Sequence, residues 1–287
     1  MSKIILITGT SSGFGKLSTI TLAKEGHTVI AAMREVNGKN SESAKELSAL
    51  PNVDVVEMDV TSEESVNAAV QIVLKKYNKI DILINNAGVT GFGLLEATSI
   101  NQIKKIFEVN LFGAIRTYQA VLPSMREEKS GLIINISSGL GLFAPPFIVP
   151  YEMTKFGLEA LTEGIRYEIK GYGIETVTVQ PGPFPTEIGD KAAGFGPDRQ
   201  DILDSYGPTA QSALEGFGTA MYGKMTEYQA DSQEIADALL KLINLPSGTR
   251  PFHTVVNRLG EGVEQAFVEN RKEYRKGLMD NMGWGEF

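Results

Sequence analysis

The stretch Ile4-Ile5-Leu6-Ile7-Thr8-Gly9-Thr10-Ser11-Ser12-Gly13-Phe14-Gly15 decides the fold. A short β-branched run ends in a glycine-rich turn, and a helix opens near Lys16. Glycines let the backbone turn sharply and let a pyrophosphate approach the helix N-terminus, where free N–H groups and the helix dipole favour anions. The hydroxyls of Ser11 and Ser12 add candidate donors. A glycine-rich turn alone is a weak signal, but its place between a first strand and a helix points to a dinucleotide site. Gly9, Ser11, Ser12, Gly13, Phe14 and Gly15 are therefore the first candidate cofactor residues. The same letters fit Gly-x-Ser-x-Gly, a hydrolase elbow with Ser11 as nucleophile. That alternative needs several strands before the serine, and a histidine that only His253 could supply.

Working outward, short apolar runs alternate with amphipathic stretches. The runs Lys3–Ile7, Thr28–Met33, Val53–Glu57, Ile80–Ile84, Leu132–Ile136, Glu175–Val179 and Phe252–Val256 are predicted strands. Several are apolar almost throughout, as parallel strands covered on both faces should be. Thr61 followed by Glu64 reads as a capping box, Gly26 closes the first helix, and Asp231–Asn244 is a helix stopped by Pro246. The pattern predicts an α/β fold, a doubly wound, Rossmann-like parallel sheet in a single domain over residues 1–287. Residues 183–230, rich in Gly, Pro, Ala and aromatics, read as an irregular substrate lid. Residues 257–287 read as a helical tail packed through Val263, Phe267, Tyr274 and Leu278.

Composition narrows the function classes. A net charge of −8 without a basic cluster speaks against nucleic-acid binding. No cysteine and two histidines, His27 and His253, exclude thiolate chemistry and leave no imidazole metal site. No run approaches a membrane span or a signal-peptide core, so a cytoplasmic protein without membrane contact is expected.

The second strand ends at Met33, without the acid that usually binds a ribose diol, and Arg34 follows. An arginine suits a 2′-phosphate, which favours NADP(H) over NAD(H). Glu35 would reverse that preference if the register moved by one residue.

Tyr151 and Lys155 are spaced i, i+4, so one helix face presents both to one cleft. Tyrosine ionises near pH 10, and a neighbouring ammonium is expected to lower that value toward working pH. Ser138 lies thirteen residues earlier, at the end of an apolar strand. Ser137 competes with it, because adjacent side chains of an extended segment face opposite ways. Asn110 either supports a helix kink or simply packs in a helix.

Thr8–Gly15, Asn85-Asn86-Ala87-Gly88, Asn110, Ser138, Tyr151-Glu152-Met153-Thr154-Lys155 and Pro181-Gly182 together resemble the short-chain dehydrogenase/reductase family in order and spacing, over about residues 3–186. The resemblance implies that Tyr151 is the acid/base, Lys155 its activator and a ribose ligand, and Ser138 the residue that orients the carbonyl. It implies that Asn110 holds a relay water and that Asp59, with Val60, contacts adenine. Asn86, Ala87 and Gly88 would lie beside the adenine ribose, Pro181 and Gly182 beside the cofactor, and Thr186 at its carboxamide. The cofactor-half segments Thr8–Gly15 and Ala31–Glu35 are similar to those of hydroxysteroid and retinol dehydrogenases and of bacterial keto-reductases. A homodimer or homotetramer, paired through Ile100–Arg126 and Glu152–Lys170, is implied in the same way.

The chain between Ser138 and Tyr151 offers Leu140, Leu142, Phe143, Phe147 and two prolines, with no charged group. The 183–230 segment adds Phe184, Phe195, Tyr206, Phe217, Met221 and Tyr222. The expected partner is a small, uncharged, largely apolar ketone, aldehyde or alcohol. A non-catalytic NADP(H) sensor on the same fold is the alternative from a different class.

Overall fold

The computed structural model describes residues 2–189 and 192–284, apart from the side chain of residue 193. Positions 190–191 of the expected lid and 285–287 of the expected tail lie outside the described residues. The first half of the chain runs β1 (Ile4–Thr8), α1 (Gly13–Lys24), β2 (Thr28–Met33), α2 (Ser41–Ser48), β3 (Val53–Glu57), α3 (Glu63–Tyr77), β4 (Ile82–Asn85), α4 (Ile100–Phe107) and α5 (Gly113–Glu127). There follow β5 (Gly131–Ile136), α6 (Val149–Ile169), β6 (Ile174–Pro181), α7 (Gln200–Ser205), α8 (Gly207–Glu227), α9 (Gln233–Asn244), β7 (His253–Val256) and α10 (Val263–Asn281).

All strand pairs are parallel, in the order β3-β2-β1-β4-β5-β6-β7. Alternation within β1 sorts the core into two layers. Ile5 and Ile7 pack with Leu22 of α1 and with Ile235 and Leu239 of α9. Leu6 faces the other way, toward Val66 and Val70 of α3 and Tyr118 and Val121 of α5. Covering both faces explains why β1, β2 and β4 are apolar almost throughout rather than alternating. The strand order reverses between β1 and β4, so the crevice for a ligand opens at their carboxyl ends, where the glycine loop and Asn85–Gly88 lie.

Four local expectations change. The N-cap of α3 is Ser62, whose hydroxyl accepts from Ser65 N–H. Thr61 is not the cap because its backbone N–H and hydroxyl both donate to Asp59 Oδ1, at 2.9 and 2.8 Å. The expected lid is not irregular: it contains the 21-residue α8. That helix has no buried residue, so no apolar stripe marked its period. The expected packing face of α10 is exposed, with Val263 at 72% and Tyr274 at 73%. The helix docks instead through buried Val268 and through Arg271 and Arg275 on Glu163 of α6. The segment Ile100–Arg126, which the family resemblance implies is a long helix pairing between subunits, is broken by a π-helical turn at Glu108–Phe112.

Candidate active site

The glycine loop is built by close approach. Gly9 (φ +71°) brings its Cα so near β4 that a Cβ there would stand 2.7 Å from Ala87 Cα. A Cβ on Gly15 would strike the Gly9 carbonyl and stand 2.5 Å from Asn86 Nδ2. The loop is tied to the next one by Asn86, which donates to the carbonyls of Thr8 (2.8 Å) and Gly9 (3.0 Å). The Thr8 hydroxyl accepts from the N–H groups of Asn86 and Ala87. Thr8 was not singled out as a site residue, and only this cross-loop contact reveals its part. The side chain of Phe14 packs edge-on against Phe184, with centroids 5.7 Å apart, so Phe14 offers the loop its backbone alone. Gly13 (φ +54°) faces Thr186, whose Cβ would be 3.5 Å from an added Cβ. Among the described residues these contacts leave a cradle of glycine backbone at the start of α1, which fits a pyrophosphate.

The flanking candidates lie along the same carboxyl edge. Arg34 leaves β2 with its side chain exposed and loosely paired to Glu35, 3.9 Å away. Glu35 adopts φ +53°. Asp59 faces back on Thr61 and closes the turn after β3, while the buried Val60 packs on Gly113. Gly182 lies against Asn257, whose side chain fills the space of a Cβ, and its N–H donates to Val256 O at 2.9 Å.

Helix α6 carries the proton-transfer candidates. Pro150 in its first turn suits the fixed φ of a helix start, so the helix opens two residues before Tyr151. The Tyr151 hydroxyl is bonded to Ser138, and burial pushes its pKa up to about 12 while that bond pulls it down. The sequence reading expected a lowered value. In the protein alone, desolvation outweighs the hydrogen bond to Ser138. Lys155 Nζ lies 5.5 Å from the centre of the Tyr151 ring and donates to Ile136 O at 2.8 Å. Burial brings its ammonium down to about 8, against an opposing pull from Glu159. Ser137 is buried on the opposite side, beside Gly141, so Ser138 alone faces Tyr151.

Asn110 sits in the π turn and is 2% exposed. Its Oδ1 accepts from Val89 N–H (2.8 Å), and its Nδ2 donates to Val89 O (2.8 Å) and Thr154 Oγ1 (3.1 Å). Thr154 in turn donates to Tyr151 O at 2.6 Å. Asn110 thus links the loop after β4 to the first turn of α6, and its side chain is occupied by these bonds. A π turn misaligns backbone carbonyls, which is where a relay water would bind. Thr154 was also missed, because a threonine inside a helix carries no signal of its own.

Ser11 lies in the loop after β1 and His253 opens β7, and those two strands are separated by four spacings, about 19 Å. No triad forms there, and the hydrolase alternative fails on geometry. No helix among the described residues is long and apolar enough to cross a membrane.

Comparison with known proteins agrees with the fold. The profile of the short chain dehydrogenase family matches residues 3–194. The uncharacterized oxidoreductase YusZ of Bacillus subtilis (strain 168) is 38% identical over 247 residues, covering 84% of each chain. A short-chain dehydrogenase from Streptomyces avermitilis superposes with a TM-score of 0.77 at 27% identity, over 98% of this chain and 96% of that one. An alcohol dehydrogenase from Thermococcus sibiricus, complexed with 5-hydroxy-NADP, gives a TM-score of 0.71 at 25% identity, over 90% and 97% of the two chains. The chain belongs to the short-chain dehydrogenase family and is an oxidoreductase that acts on CH–OH and C=O groups.

Proposed function

We propose that this protein is an NADP(H)-dependent oxidoreductase that interconverts an uncharged, largely apolar ketone or aldehyde and its alcohol, with Tyr151 as proton donor and acceptor. The observation that carries this reading is the Ser138–Tyr151–Lys155 arrangement beside the glycine cradle. A bound nicotinamide dinucleotide supplies or accepts the hydride. Gly9, Gly13 and Gly15 leave room for its pyrophosphate, and Ser11 and Ser12 offer hydroxyls. Asp59, Val60, Asn86, Ala87 and Gly88 flank its adenosine end; Pro181, Gly182 and Thr186 flank its nicotinamide end.

In the reducing direction Ser138 holds the carbonyl oxygen, and the neutral phenol of Tyr151 donates its proton as charge develops there. The Lys155 ammonium, protonated near neutral pH, stabilises the phenolate that is left. Asn110 and Thr154 keep the first turn of α6 in register with the loop after β4. Preference for the phosphorylated dinucleotide rests on the exposed Arg34 at the end of β2. The alcohol dehydrogenase similar to this chain was solved with a derivative of NADP, which supports the same choice.

The apolar substrate class rests on the side chains between Ser138 and α8. Phe143 is half exposed, and Phe147 stacks edge-on with Phe217 of α8 at 5.9 Å. Helix α8 would close over a bound substrate and exclude water. The exposed Phe112, Met153 and Phe156 offer a face for a second copy, and sedimentation velocity reads that assembly. The test is cofactor consumption with apolar ketones, polar sugars and anionic keto acids, each with NADPH and NADH. Faster turnover of apolar ketones with NADPH is expected. Better efficiency with NADH, or preference for polar sugars or anionic keto acids, overturns the assignment.

A further inference from the structure

One buried carboxylate beside this site is left without a part in the mechanism above. Glu159 follows Lys155 by one helix turn and is 2% exposed. It lies on the stripe of α6 that faces the sheet, between Lys155 and Thr162, which are also buried. Its Oε1 accepts from Gln180 Nε2 at 2.9 Å, and its Oε2 from the Thr178 hydroxyl at 3.5 Å. From β7, His253 Nε2 stands 3.3 Å from Oε2. The Cγ of Glu159 and the carbonyl of Lys155 both crowd Gly141, at 3.0 and 3.2 Å from where a Cβ would stand. Taking a carboxylate out of water costs several kcal/mol unless a charge or donors compensate. A hydrophobic residue would fill this stripe at no such cost.

We propose that Glu159 is a positioning residue: it supplies the buried counter-charge for Lys155 and ties that lysine's helix turn to the strand that leads into Pro181 and Gly182. The groups that face the pair are few. Lys155 meets Tyr151 on its own helix and the Ile136 carbonyl of β5. Glu159 meets Thr178 and Gln180 of β6 and His253 of β7. Residues four apart on a helix lie about 5–6 Å apart at Cβ, close enough for the carboxylate's field to act on the ammonium through a dry interior. Burial lowers the Lys155 ammonium, and Glu159 is the charged group that opposes this.

The inference rests on the proposed role of Lys155, so its test reads binding as well as turnover. NADPH affinity is measured from about pH 6 to 9 for the wild type and for Glu159→Gln, which keeps an acceptor for the hydrogen bond from Gln180 but removes the charge. The pH at which NADPH affinity declines should fall by about one unit in the variant. A Glu159 that merely supported the fold would change melting temperature or affinity without moving that pH. An unmoved midpoint overturns the proposal. If Glu159→Gln gives no folded protein, Glu159→Asp decides it, with a smaller downward shift expected and an unmoved midpoint fatal. Tyr151→Phe is carried in the same series: if it turns substrate over, the proposed function falls, whereas the binding midpoint still judges Glu159.

Discussion

Tyr151 and Lys155 are pulled in opposite directions by the same burial, the phenol up to about 12 and the ammonium down to about 8. Near neutral pH the phenol is therefore neutral while the Lys155 ammonium still carries its charge. Raising the pH through about 8 removes the Lys155 charge, and NADPH binding should weaken over that range. Lys155→Ala should weaken it by about ten- to a hundredfold below pH 8, the worth of a charge-assisted hydrogen bond, and by less above that pH. Titration calorimetry reads both effects, and an unchanged Kd would remove Lys155 from the ribose site. The neighbouring Glu152 is buried with neither carboxyl oxygen hydrogen-bonded, and burial raises it to about 7. A carboxyl raised in the folded state favours folding when protonated, and that stability is lost as pH rises through 7. Glu152→Gln should therefore stabilise the protein by on the order of 2 kcal/mol near pH 8 and hardly at all near pH 4. Thermal melts at the two pH values check this.

The elements that were legible in the sequence are those whose burial follows a period. The strands were readable because the central ones are covered on both faces, and the ends of all seven moved by only a residue or two. The glycine loop was readable because close approach leaves no other residue type. Gly9→Ala places a Cβ 2.7 Å from Ala87 Cα at a left-handed φ, so we expect a loss of about 2 kcal/mol in stability and weaker NADPH binding. Melting and titration of that variant read both; an unchanged melting temperature would contradict the crowding. Other features left no pattern to read. The π turn around Asn110 is an extra residue in a helix, not a residue type. Helix α10 docks by arginines on Glu163, while its apolar stripe faces out. The raised pKa of Tyr151 depends on enclosure, which spacing along a helix does not encode.

At the scale of the whole molecule, the parallel sheet gathers residues from distant parts of the chain at one edge. The switch point between β1 and β4 sets the glycine loop beside Asn86. Strand β5 delivers Ser138, α6 delivers Tyr151 and Lys155, and α8 stands over the apolar stretch between them. The sheet also separates Ser11 from His253, so no serine triad forms at this edge. The direct test follows NADPH consumption by the wild type and by Tyr151→Phe with the best ketone of the substrate panel, with NADPH affinity measured alongside. The account predicts turnover by the wild type and none by the variant, which should still bind NADPH. Sustained turnover by Tyr151→Phe would contradict it.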